Sequence, residues 1–388
     1  MKYSTFILIA KIKEIICISL VLLTFSGFTQ DLVLGAERTE IYLPLINTKN
    51  VAIIANQTSM INQTHLVDSL LSLGINVVKV FSPEHGFRGT QDAGARIEDK
   101  IDQKTQLPII SLYGKNKKPN AKQLEKIDIL IFDIQDVGVR FYTYISTLHY
   151  IMEAASEHNM QVILLDRPNP NGHYIDGPIR EDSFSSFVGM HPIPIVHGMT
   201  IGEYANMING ENWISKKCDL TIIDMQNYTH KMRYNTPIRP SPNLPNTISI
   251  NLYPSLCLFE GTNISIGRGT NYPFQHFGSP SLESNYSFIP KSKSGSKYPK
   301  HENLECFGTD LKFHKDYLNT INLDWLIESY KNYPNKEEFF NSFFDKLAGT
   351  DKLRLQIIEG KSSKDIKSSW EKGLNEFKKT RYKYLIYN

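Results

Sequence analysis

The seven residues Ile127–Asp133 (IDILIFD) constrain the fold more than any other segment. A run this apolar and β-branched, too short for a helix and framed by polar residues, reads as a strand buried on both faces. Similar runs recur at 51–56 (VAIIAN), 76–81 (NVVKVF), 108–112 (PIISL) and 161–166 (QVILLD). Between them lie stretches with helical apolar spacing: 64–73, stopping at Gly74; 119–126; and 141–158, where Ile145, Leu148, Ile151, Met152 and Ala155 share one face. Strand–helix alternation of this kind predicts an α/β fold with a Rossmann-like parallel sheet, placed here over 31–235. The alternation fades after about residue 225. The Pro/Asn-rich stretch 235–250 reads as a connector. Gly-rich loops and helical segments near 323–331, 335–347 and 363–380 then predict a second, smaller α+β domain over 236–388.

The N-terminus follows different rules. Lys2, Lys11 and Lys13 precede an apolar run from Ile15 to Phe28, with Ser26 and Gly27 near its end. A basic start, an apolar middle and a small-residue exit describe a secretory signal peptide over 1–30. An uncleaved N-terminal anchor is the other reading. Of the four cysteines, Cys218, Cys257 and Cys306 lie beyond this segment. One disulfide among them is conceivable, but they form no disulfide framework, and no pair has zinc-finger spacing.

Charge narrows the partners. Forty-three Lys+Arg against forty Asp+Glu is too balanced for a nucleic-acid binder that relies on bulk charge. No G-x-G-x-x-G follows the first strand, so no nucleotide is expected. The 351–388 segment is richer in Lys and Arg than in acids, which fits a solvated helical face better than an acidic-polymer site.

In an open parallel sheet, ligands bind beyond the carboxyl ends of the strands. Three polar, Gly/Pro-punctuated loops fall on that edge: Ser82–Gly89, Asp133–Tyr144 and Asp166–Gly172. Glu84, at a strand end beside a proline and a histidine, is the candidate general acid. His85 would orient it, or lie on the far side of the loop. No second histidine stands at ligand spacing from His85, so no metal and no cofactor are expected. Asp133 and Asp136 offer a second carboxylate for a paired-acid mechanism, or serve only neighbouring amides. Arg140 and Arg167 match a substrate carboxylate or phosphate, or pair internally with Asp133, Asp136 or Asp166. Tyr142 and Tyr144 stand two apart at a helix start, so one of them faces the cleft more readily. Asn169 suits sugar hydroxyls, although Asn-Pro-Asn-Gly is also turn chemistry. In the second half, the loop Phe259–Thr270 brings Glu260, Asn263 and Arg268 together, with Gln275 and His276 close behind. A tight turn is the plainer reading of that loop.

Taken together, SPEHGFRG at 82–89, DIQDVGVRFYTY at 133–144, LDRPNPNG at 165–172, LFEGTNISIGRGT at 258–270 and PFQHFGSP at 273–280 resemble one family. So does the tail, FDKLAGTDKLRLQI at 344–357, with Trp370 and RYKYLIY at 381–387. The chain is similar to the bacterial exo-β-N-acetylmuramidases of the NamZ type from about residue 50 to its end. The resemblance implies a Rossmann-like domain and a smaller C-terminal domain that completes the active-site cleft, and a catalytic role for Glu84. It also implies removal of N-acetylmuramic acid from non-reducing ends of peptidoglycan fragments. The lactyl carboxylate of that sugar would give Arg140, Arg167 or Arg268 an anion to bind. The periplasm is the expected location, with secretion or anchoring as alternatives. A non-catalytic cell-wall sugar-binding protein is the alternative function. Oligomeric state is not legible.

Overall fold

The computed structural model describes residues 31–84, 86–87 and 100–388. The signal-peptide reading and His85 lie outside the described residues. Residues Val33–Asn388 form one compact unit. Twelve strands are described: β1 (Val51–Ala55), β2 (Met60–Ile61), β3 (Thr64–His65), β4 (Val77–Ser82), β5 (Lys100–Ile101), β6 (Pro108–Ser111), β7 (Ile129–Asp133), β8 (Gln161–Leu165), β9 (Asp219–Ile223), β10 (His276–Ser279), β11 (Tyr286–Phe288) and β12 (Cys306–Asp310).

The main sheet has the order β5-β6-β4-β1-β7-β8-β9, and only the edge pair β5–β6 is antiparallel. Its parallel strands, counted along the chain, are arranged 3-2-1-4-5-6, the doubly wound order whose direction reverses beside β1. The apolar runs are continuous because both faces are covered. Val51, Ile53, Ala55, Ile129 and Ile131 pack with Tyr42, Ile46, Leu66 and Leu70 on one side. Ala52, Ile54, Leu130 and Phe132 pack with Leu148, Ile151 and Met152 on the other. A side-chain period of two sends neighbours to opposite cores.

Local signals set the helix limits. The helix Leu66–Ser72 is capped by the His65 ring, which accepts from the Val67 amide. It ends before Gly74, whose φ of 78° is costly for any other residue. The helix Tyr144–Glu157 starts three residues later than its apolar periodicity suggests.

The structure also holds elements that the sequence pattern does not show. Helix Ile201–Gly210 and strand β9 complete the doubly wound half. The stretch expected to be a connector becomes helical at Thr247, where Asn246 and Ser249 form a capping box, and Pro254 lies inside the resulting helix Thr247–Leu256. The helix expected over 335–347 is instead a short 3₁₀ turn, Lys336–Glu338, and the helix Phe344–Ala348. That over 363–380 divides into Ser363–Ser368 and Glu371–Tyr382. The C-terminal half also holds a small antiparallel sheet, β10-β12-β11. One apolar cluster runs from Ala52 through Leu256 and Phe344 to Phe377, so the two halves share a core. Cys218, Cys257 and Cys306 are buried free thiols.

Candidate active site

A cavity of about 600 Å³ opens beyond the carboxyl ends of β4, β6 and β7. Its wall includes Glu84, Tyr113, Phe141–Tyr144, Phe187 and Val188 from one part of the chain. Ser241, Asn243, Tyr253, Glu260, Arg268, Phe274, Lys297 and Tyr298 come from the other. Aromatic faces with a few polar groups are the usual lining of a small-molecule site.

Glu84 stands two residues past the end of β4. The Gly86 amide returns to the Pro83 carbonyl at 3.1 Å, closing a turn around it, and Gly86 carries a φ of 77°. The half-buried Glu84 carboxylate accepts from Thr143 Oγ1 at 3.0 Å. Tyr113, just past β6, lies beside the same carboxylate; burial and then the charge of Glu84 push its phenol above the ordinary range. Thr143 is the N-cap of helix Tyr144–Glu157, yet its side chain makes no capping bond to that helix. It is spent on Glu84 instead. The positive end of a fourteen-residue helix therefore faces a carboxylate.

Tyr142 and Tyr144 both line the cavity, their rings edge-to-face at 4.8 Å. Spacing of two did not separate them, because Tyr142 precedes the helix. The Tyr142 hydroxyl donates to the Pro240 carbonyl at 2.9 Å, and Tyr144 points to the same oxygen at 3.4 Å. Glu260 and Arg268 face each other across the distal wall, with Arg268 Nε donating to Glu260 Oε1 at 2.5 Å. The Arg268 guanidinium also lies 5.1 Å from the Phe274 ring. Desolvation works against its charge, but the Glu260 carboxylate and its hydrogen bond hold its pKa above the ordinary arginine value.

The remaining candidates are placed elsewhere, each for a visible reason. Asp133 is fully buried and does not line the cavity. Arg167 grips it at two points, Nε to Oδ1 at 2.5 Å and Nη2 to Oδ2 at 2.9 Å, so each uses up the other. Asp136 is also buried away from the lining, its Oδ2 accepting from the Gly138 amide at 2.7 Å. Burial pushes its carboxyl up to about 7. The second catalytic carboxylate expected from Asp133 or Asp136 thus has no access to the cavity that Glu84 lines.

Arg140 is equally committed. Its guanidinium donates to the carbonyls of Pro178 (2.9 Å), Ile193 (2.6 Å), Leu347 (2.9 Å) and Ala348 (2.6 Å). It binds the C-terminal half to the sheet domain rather than a substrate anion. Asn169 is a turn residue: Oδ1 accepts from the Asn171 amide at 2.8 Å, and Nδ2 donates to the Met199 carbonyl at 2.8 Å. It packs so tightly on Gly138 that a Cβ there would lie 2.1 Å from Asn169 Oδ1. The DVG and PNPNG segments therefore dock on each other and fix the loop that carries Tyr142 and Thr143.

Asn263 donates to the Tyr333 hydroxyl at 2.7 Å, and Gln275 accepts from Asn246 at 3.0 Å. His276 is held between the Thr270 hydroxyl (3.0 Å) and the Tyr286 hydroxyl (2.7 Å), stacked on Phe288. Burial lowers its pKa to about 4. These three build the C-terminal half and do not line the cavity. Tyr113, Thr143 and Asn243 were missed. Only Thr143 carried a sequence signal, as a hydroxyl at the start of the Tyr144 helix. Among the described residues, no cluster of three or more His, Cys, Asp or Glu is placed to hold a metal ion.

Comparison with known proteins fits this arrangement. Residues 51–248 match the family model of the exo-β-N-acetylmuramidase NamZ N-terminal region, and 251–387 match that of its C-terminal region. The peptidoglycan β-N-acetylmuramidase NamZ of Bacillus subtilis (strain 168) is 41% identical over 371 residues, covering 89% of both chains. Two crystal structures of DUF1343 family proteins from Bacteroides fragilis NCTC 9343 are similar. One has a TM-score of 0.87 and 48% identity, the other 0.79 and 31%; each alignment covers 92% of this chain and 99% of the other.

Proposed function

The chain belongs to the NamZ family of exo-β-N-acetylmuramidases, and from that premise we propose how its cavity works. The protein is a glycoside hydrolase that releases N-acetylmuramic acid from non-reducing ends of peptidoglycan fragments. A non-catalytic sugar-binding protein is not favoured, since both family models and the curated relative are those of a hydrolase.

The observation that carries the chemistry is Glu84 in the cavity with the Thr143 hydroxyl on its carboxylate and the Tyr113 phenol beside it. Glycoside hydrolysis needs a proton delivered to the leaving oxygen as the sugar C1 becomes oxocarbenium-like. Glu84 delivers it. The Thr143 hydroxyl and the helix N-terminus then stabilise the carboxylate left behind. Water captures C1, directly or after the sugar's own 2-acetamido oxygen has bridged it, and the proton it sheds restores the Glu84 acid. Tyr142, Tyr144, Phe274 and Tyr298 offer faces for the sugar ring, and Glu260 and Arg268 make its polar wall.

The glycan partner is peptidoglycan-derived; no nucleotide or nucleic acid enters this reading. We place the enzyme outside the cytoplasm, in the periplasm, on the leader-like pattern of residues 1–30. The test is product analysis by mass spectrometry on glycan fragments ending in N-acetylmuramic acid. Free N-acetylmuramic acid released from that end supports the reading. Internal cleavage, or no free sugar from fragments of any length, contradicts it.

A further inference from the structure

We propose that Arg268 is the residue that distinguishes muramic acid from glucosamine: its two terminal nitrogens take the lactyl carboxylate while Glu260 holds Nε. This rests on the muramidase reading and adds how the sugar is selected.

The two sugars differ by one lactyl ether, which carries a carboxylate. A site that selects the acid therefore needs a cation with free donors. Arg140 and Arg167 are excluded, since buried carbonyls and Asp133 occupy them. Arg268 lines the cavity and is a quarter exposed. Among the described residues its only hydrogen bond is Nε to Glu260 Oε1. Glu260 fixes the rotation of the guanidinium plane and leaves the Nη1–Nη2 edge for a second carboxylate. That edge matches a carboxylate at two points.

Local charge agrees. Lys300, beside this pair, donates to the carbonyls of Phe259, Glu260 and Thr262. Lys300 stands behind the lining, so at this end of the cavity two cations, Arg268 and Lys297, face the one carboxylate of Glu260, with Glu84 the other carboxylate of the lining. Lys297 is the one at the rim, its ammonium lying over the Tyr298 ring at 5.4 Å. An anionic substituent completes the set, whereas a neutral hydroxyl leaves a partly desolvated guanidinium edge unmatched.

The test compares a chromogenic β-N-acetylmuramide with its lactyl methyl ester. Wild-type kcat/KM is expected to favour the acid by about 30- to 1,000-fold, the range for losing one partner of a buried charged contact. In Arg268→Gln the acid-to-ester ratio should collapse towards one, and in Arg268→Lys it should be intermediate. Equal loss on both substrates in Arg268→Gln, or equal wild-type turnover of both, overturns the proposal. Turnover of neither by the wild type overturns the muramidase reading, and this inference with it. Should Arg268→Gln not fold, wild-type inhibition by free N-acetylmuramic acid and by its methyl ester gives the same comparison, and equal inhibition overturns the proposal.

Discussion

Thr143 Oγ1 donates to Glu84 Oε2 at 3.0 Å, joining the N-cap of one helix to the loop after β4. The hydroxyl serves the carboxylate rather than the helix, so its loss should reach activity before stability. Thr143→Val is expected to lower kcat on a muramide by about 10- to 100-fold, the scale of one hydrogen bond to a charged group. Thr143→Ser should retain most of it. Steady-state kinetics with a thermal melt checks this; equal kinetics for Ser and Val would refute it.

Arg140 should matter to the fold and not to the sugar. Arg140→Met removes the donor from four carbonyls in three segments of the chain, of which, among the described residues, only Ile193 keeps another partner, the Arg180 amide. A loss of about 3–5 kcal/mol is expected in urea unfolding, from about 1–3 kcal/mol for each carbonyl left unpaired, offset in part because the desolvated guanidinium is gone. The KM of the protein that remains folded should stay near wild type. A selective rise in KM at unchanged stability would instead restore Arg140 to substrate binding.

Two glycines separate strain from crowding. Gly138 has a φ of 74°, and an added Cβ would lie 2.1 Å from Asn169 Oδ1. Gly74 has a φ of 78° with nothing within 4 Å. Gly74→Ala should cost only the left-handed strain, about 1–2 kcal/mol. Gly138→Ala should cost clearly more and lower activity too, because Gly138 sits in the loop that delivers Thr143. Equal melting shifts for the two variants would contradict this docking of loops.

Asp136 should give a pH signature. Burial raises its folded pKa to about 7, against an ordinary value of 3.8, so the folded state holds the proton more tightly than the unfolded chain. Its contribution is greatest at low pH and falls as pH rises from about 4 to 7. Relative to wild type, Asp136→Asn should therefore become progressively more stable across that interval. Urea unfolding at pH 5 and pH 8 measures the difference; a variant whose relative stability falls with pH would have the wrong sign.

The sheet was legible because its strands carry their own signal. Ile129–Asp133 cannot be amphipathic when Leu130 and Ile131 enter different cores. β9 and the helix Thr247–Leu256 were obscured by polar or proline-rich neighbours, and tertiary packing decided them. Glu84, Tyr142, Tyr144, Glu260 and Arg268 were legible from loop position, and all line one cavity. Arg140 shows where such reading stops: sequence displays a charge but not the four carbonyls that take it up. Asp133 and Arg167 are residue types that suit a site, but only the folded chain shows that they pair with each other. Tyr113 carried no sign at all, since only the neighbouring of β4 and β6 brings it to Glu84.

The most direct test is turnover of a chromogenic β-N-acetylmuramide by wild type, Glu84→Gln and Glu84→Asp, with melting temperature followed alongside. The account predicts hydrolysis by wild type, a fall of at least about 1,000-fold in Glu84→Gln at an unchanged melting temperature, and a small residual rate in Glu84→Asp. Wild-type turnover in Glu84→Gln would remove Glu84 from the chemistry and leave the cavity without its acid.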